Sequence, residues 1–144
     1  MVKDKKENKP KQEAEDYKTK YLRVLADYQN LEKRISQEKE VTNQNAVRNF
    51  VLKLLPFLDN LDKAEVFFKD EGLKMIKNQL LQLLQNEGVE ELELKGEEYD
   101  PHLAEAIEIV PGDEDNIIIE VLQKGYKFQD RVIRPAQVRV SKKI

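Results

Sequence analysis

"YLRVLADYQNLEKRI", Tyr21 to Ile35, decides how this chain folds. With Tyr17 just upstream, the side chains Tyr21, Val24, Tyr28, Leu31 and Ile35 recur at alternating steps of four and three. Residues at that spacing line one stripe of a helix and form a heptad seam. Neither Pro nor Gly occurs between Tyr17 and Leu55. One long helix is therefore predicted, about 58 Å at about 1.5 Å per residue. Its apolar stripe needs a cover, and the simplest cover is a second copy in a parallel homodimer. An antiparallel hairpin within one chain would need a second helix of matching length, and none follows.

Going C-terminally, the next seam positions are Glu38 and Thr42, which are poor core residues. Then Ala46, Phe50 and Leu54 follow in steps of four, a local eleven-residue repeat that unwinds a left-handed supercoil. The Glu38–Thr42 stretch should be the weak part of the pairing, because polar side chains at core positions add little burial and cost stability. On heating, the paired helix is expected to fray there before the rest unfolds. A calorimetric scan with one cooperative transition for the whole protein would overturn that expectation.

Going N-terminally, Met1 to Asp16 carries five bases and five acids and almost nothing to bury. Such a segment does not offset its ordering entropy, so residues 1–16 are expected to be a disordered tail. Beyond the helix, "LLPFLDNL" introduces Pro56, which lacks an N–H and crowds the preceding turn. The long helix is thus expected to stop or kink at Leu55, giving a paired helix over 17–55. A helical hairpin over 56–88 follows, one limb carrying Phe57, Leu58, Leu61, Ala64 and Phe68 on one side. Gly72 closes that limb; the other limb carries Leu73, Ile76, Leu80, Leu83 and Leu84 and ends at Gly88. Two such hairpins from two chains would form a four-helix bundle.

From Val89 the period changes. "VEELEL" alternates, and "AIEIV" and "NIIIEVLQKGYKF" are rich in Ile and Val, with turn-forming segments between them. A β-module over 89–144 is predicted, so the fold class is α+β. Val89 to Glu120 holds twelve acids against one Lys, and Val121 to Ile144 holds seven bases against one acid. Part of this imbalance should cancel between neighbouring strands.

The residues argue against several chemistries. With no Cys and one His, thiolate sites and most His-based schemes are out of reach. Asp113, Glu114 and Asp115 lack the alternating spacing and distal Glu of a calcium loop. The five glycines form no phosphate-cradling cluster. No cofactor and no small-molecule substrate are expected, and the chain is not read as an enzyme. Tyr126 and Phe128 sit among Lys124, Lys127 and Arg131, a mix that can stack on bases and hold phosphates. The module as a whole is acidic, however, so nucleic acid is a poor match. No apolar run is long enough for a membrane span. "MVKDKKENKP" has neither the apolar core of a secretory signal nor the acid-poor character of a transit peptide. A cytoplasmic protein is expected. Composition and periodicity stop at a dimeric coiled-coil scaffold or adaptor with a protein-binding β-module.

A resemblance goes further. "LLPFLDNLDKA" after a long polar helix looks like the bundle entry of the GrpE family, the nucleotide exchange factors of the DnaK chaperone. In "YDPHLAEAIEIV" an aromatic, Asp and Pro are followed by Ala104, Glu105 and Ala106. Gly125-Tyr126, Asp130, Ile133-Arg134, Ala136, Val138 and Val140 then match the GrpE pattern in type and spacing. The similarity spans about Tyr17 to Lys143. One departure stands out: many members have His where this chain has Ala104, while His102 lies two residues earlier.

The resemblance implies a homodimer whose β-domain docks on the nucleotide-binding domain of DnaK, opens its cleft and releases ADP. Carried over by position, it implies docking residues Leu122, Arg131 and Val140. Lys124 and Arg134 are added on charge; Lys33 and Arg34 match helix positions that can touch the chaperone's other lobe, and a plain solvated helix face accounts for them at least as well. Ordinary strand core is an equal alternative for Val140, because Ala136, Val138 and Val140 share one face. The dimer contact is expected to use Tyr21, Val24, Tyr28, Leu31, Ile35, Phe50, Leu54 and Leu61.

Overall fold

The computed structural model describes the backbone of residues 2–144, with side chains from residue 8 onward. Its elements are α1 (Val2–Phe67), α2 (Glu71–Asn86) and six strands. The strands are β1 (Val89–Glu91), β2 (Ala104–Gly112), β3 (Ile118–Gln123), β4 (Tyr126–Phe128), β5 (Arg131–Arg134) and β6 (Ala136–Lys143). The architecture is α+β, as the change of period predicts. The chain divides into two compact units, Met1–Ala46 and Val47–Ile144.

The first unit is helix throughout its described backbone. Residues 2–16 are helical where a disordered tail is expected from composition; Met1 lies outside the described residues. Composition is right about residues 8–16, all of which are exposed. Burial is not required, however, because extending an existing helix adds a hydrogen bond per residue without a new nucleus. The seam residues Tyr21, Val24, Tyr28, Leu31 and Ile35 are all exposed, Tyr21 at 65%.

In the second unit α1 continues through Pro56 to Phe67, where a stop or kink is expected at Leu55. The flanking residues show why. Val51, Leu55 and Leu58 are buried at 3%, 1% and 1% exposure. Burying each gains about 1.5–3 kcal/mol, enough together to offset the roughly 3 kcal/mol cost of a helical proline. The break falls at residues 68–70 instead. Asp70 caps α2, its carboxylate accepting from the Gly72 N–H at 2.8 Å. Gly72 thus lies inside the first turn of α2 and does not form the connection. Gly88, at φ 91, follows the C-cap Glu87 as its position predicts.

The strands form two three-stranded sheets, ordered β1-β4-β5 and β2-β6-β3. β6 runs parallel to β2 and antiparallel to β3. β4 and β5 are joined by Gln129 and Asp130, at φ 47 and 64. Two consecutive positive φ values match the twist of a tight hairpin. One core packs Val51, Leu55, Leu58 and Leu84 of the helices against Val89, Tyr126, Phe128 and Ile133 of the first sheet. The other packs Leu92, Leu94, Ala104, Ile118, Ala136, Val138 and Val140, with no helical residue among them.

Candidate partner-binding surface

The residues expected to meet a partner separate into four groups. Leu122 on β3 is 43% exposed, and Arg131, first residue of β5, is exposed and makes no ion pair among the described residues. They lie on different sheets. Val140 is 4% exposed, packed in the second core with Ala136 and Val138. Its side chain is strand core and does not reach the surface, because the alternation of β6 turns Gln137 and Arg139 outward instead. Lys33 and Arg34 lie in the first unit and are exposed. Arg34 reaches Glu38 at 3.8 Å, an exposed pair of small energetic weight.

Lys124 and Arg134 behave differently: both are held inside the chain. The Arg134 guanidinium grips Asp59 of α1 with two parallel bonds, Nη1 to Oδ2 at 2.7 Å and Nη2 to Oδ1 at 2.8 Å. Its Nε and Nη2 also donate to the Lys124 carbonyl at 3.1 and 2.6 Å. The cation lies 5.4 Å from the Tyr126 ring centre. Gln123 adds a bond to Asp59 at 3.3 Å, and the Lys124 ammonium reaches Asp62 at 3.3 Å and Glu91 at 3.7 Å. Burial, then the Glu91 charge, pushes the Tyr126 phenol well above its ordinary range. Charge alone pointed Lys124 and Arg134 toward a partner; the acids on α1 that bind them, Asp62 and Asp59, lie more than sixty residues away. The signal that could have found them is the spacing of Asp59, Asp62 and Glu65, which puts three carboxylates on one helix face.

Asp62 and Glu65 also bind Lys77 of α2, each at 2.5 Å. The hydrogen bond and charge of Lys77 hold the Glu65 carboxyl below its usual value. Burial works against the charge on Lys77, but its bonds to Asp62 and Glu65 outweigh this and raise its pKa. A depressed acid stabilises the fold above its unfolded pKa, and a raised base stabilises it below its own. The pair should therefore contribute constantly between about pH 5 and about pH 10, and lose its effect outside that window. The melting-temperature difference between the native protein and Lys77→Met, followed across pH, checks this: it should be flat in the window and shrink at both ends.

On the outer face of the second sheet, Arg139 bridges Glu108 and Glu120 at 2.8 and 2.6 Å. Lys127 meets Glu90 at 3.3 Å. Four of the seven bases after Val121, namely Lys124, Lys127, Arg134 and Arg139, are thus paired with acids. The cross-strand cancellation expected from the charge pattern is present. Among the described residues, no helix is long and apolar enough to cross a membrane.

An uncovered apolar helix seam and a β-module whose basic strands are mostly neutralised from within define a class of α+β proteins built for contact with other protein surfaces. The GrpE family model matches residues 2–142 of this chain. Protein GrpE of Protochlamydia amoebophila is 42% identical, with the match covering 100% of this chain and 74% of that protein. Protein GrpE of Bacillus pumilus is 42% identical over 85% of this chain and 71% of its own length. For Protein GrpE of Bacillus subtilis the figures are 39%, 88% and 73%. The chain belongs to the GrpE family, the co-chaperones of DnaK.

Proposed function

We propose that this chain is a homodimeric nucleotide exchange factor that binds the nucleotide-binding domain of DnaK, opens its cleft and accelerates ADP release. ATP then rebinds and the chaperone lets go of its substrate. The observation that carries this reading is the GrpE match across residues 2–142. The exposed seam from Tyr21 to Ile35 supports the dimer, since a stripe of large apolar side chains left in water favours a second copy over solvent. Phe50 belongs with it at 66% exposure, whereas Leu54 and Leu61 already pack partly against their own core.

The mechanism is linkage. The factor binds the open chaperone better than the closed one, and ADP prefers the closed one. Each therefore weakens the other by the same ratio, and no residue of this chain needs to touch the nucleotide. The reaction takes place in the cytoplasm, where DnaK and its substrates meet.

The test is release of labelled ADP from purified DnaK, with and without this protein. Acceleration that saturates with concentration is the expected result. Binding to DnaK with unchanged ADP release would identify a scaffold and overturn the exchange reading. Salt-dependent retention of oligonucleotides would point to nucleic acid instead.

A further inference from the structure

The two cores of the second unit differ in what they hold. The helices share a core with the sheet β1-β4-β5. Among the described residues, the core of the sheet β2-β6-β3 contains none of α1 or α2. Yet β3 of that second sheet, which carries Leu122, ends at Gln123, and Gln123 and the following Lys124 both reach α1 through polar bonds. No residue named in the first core lies on β3, so that core acts on the strand only through the rest of the β-module. The charged fork is directional. Arg134 uses its three guanidinium nitrogens to join the Asp59 carboxylate on α1 to the Lys124 carbonyl at the end of β3. Arg134 and Asp59 are 17% and 18% exposed, so water competes little for these bonds.

We propose that Asp59 and Arg134 form an orienting clamp that holds the Leu122 strand at the angle needed to dock on DnaK. Arg134 is then a positioning residue for the exchange reaction and makes no contact with the chaperone. This rests on the exchange reading above. Without the clamp the β-module stays folded but samples angles of which only a fraction dock. Apparent affinity falls by that fraction, while the complex finally formed is unchanged.

The test uses the full chain with DnaK, and variants Arg134→Ala, Asp59→Ala, the double variant, and Arg134→Lys. The concentration giving half-maximal ADP release should rise about tenfold for either alanine variant, if the docking fraction falls to about a tenth. The double variant should show no further rise, and the saturating rate should match the native protein in all cases. Arg134→Lys keeps the charge without the fork and should still show most of the loss; it serves if an alanine variant fails to fold. A second readout is independent of DnaK. The chain has no cysteine, so Lys53→Cys on α1 and Glu105→Cys on β2 accept a pair of spin labels within one protomer, the labelled chain being mixed with excess unlabelled chain so that each dimer carries one pair. Their distance distribution should be narrow in the native background and broad in Arg134→Ala and Arg134→Lys.

An unchanged distribution overturns the clamp. So does a loss of affinity in Arg134→Ala that Asp59→Ala lacks, since Arg134 would then touch the chaperone directly. If the native protein fails to accelerate ADP release, the exchange reading falls, and the label distances alone decide whether the clamp exists.

Discussion

Gly125→Ala is expected to destabilise the protein by about 3 kcal/mol or more, through overpacking against backbone that has nowhere to move. A Cβ at this position would lie 2.6 Å from the Ala136 backbone nitrogen, and 3.0 Å from both the Ala136 Cβ and the Arg134 carbonyl oxygen. None of these is the end of a flexible side chain. Ala136 is fully buried, and its N–H donates to the Leu103 carbonyl at 3.1 Å. On the other side the Gly125 carbonyl accepts from the Leu92 N–H at 2.8 Å. Relieving the clash therefore breaks a bond linking the loop before β2 to β6, or one linking the loop after β1 to the corner between β3 and β4. Thermal unfolding of the second unit should move down by about 12 °C or more, at about 4 °C per kcal/mol for a domain of this size. Gly96→Ala is the control, because nothing lies within 4 Å of its added methyl and only its φ of 87 resists the change. It should cost no more than about 1–2 kcal/mol. Equal melting temperatures for Gly125→Ala and the native protein would show that the strand corner has slack.

Arg131→Ala is expected to remove most of the stimulation of ADP release while leaving dimer and fold intact. Arg131 opens β5 immediately after the Gln129-Asp130 turn, opposite Phe128. Its side chain is exposed and spends nothing on an internal ion pair among the described residues, unlike Lys124, Lys127, Arg134 and Arg139. An exposed guanidinium on a rigid hairpin can meet a carboxylate with two parallel bonds, and arginines of this kind dominate protein interfaces. Truncation should cost about 2 kcal/mol or more of binding, roughly thirtyfold in affinity. Stability should change by less than about 0.5 kcal/mol, as for surface positions generally. Labelled-ADP release measured at a subsaturating concentration of the factor checks the first statement, and thermal unfolding checks the second. Wild-type release rates for the variant would remove Arg131 from the docking surface.

The same stretch of sequence holds these opposite fates. From Gln123 to Val140, charge and resemblance made Lys124, Arg131 and Arg134 look available. Alternation placed Ala136 and Val138 inside, and the structure adds Val140 to them. Availability is another matter: it depends on which acids come close, and the acids that capture Lys124 and Arg134 stand on α1. Strand-to-strand cancellation was readable from the acidic and basic halves of the module, and Arg139 between Glu108 and Glu120 fulfils it. The helix boundaries were less readable. Pro56 breaks helices by local rules, and only the burial of Val51, Leu55 and Leu58 shows why it fails to here.

By itself the sequence determined the period of each segment, and with it the α+β class, the uncovered seam from Tyr21 to Ile35, and the family. Those features are local, set by 3.6- and 2-residue repeats and by residue spacing, and no fold is needed to see them. Only the tertiary structure decided where α1 ends, which face Val140 takes, and which arginine is paired within the chain. Each of those depends on a partner distant in the chain: a core that outweighs a proline, a sheet that closes over a valine, and an aspartate that claims Arg134 and leaves Arg131 to the solvent.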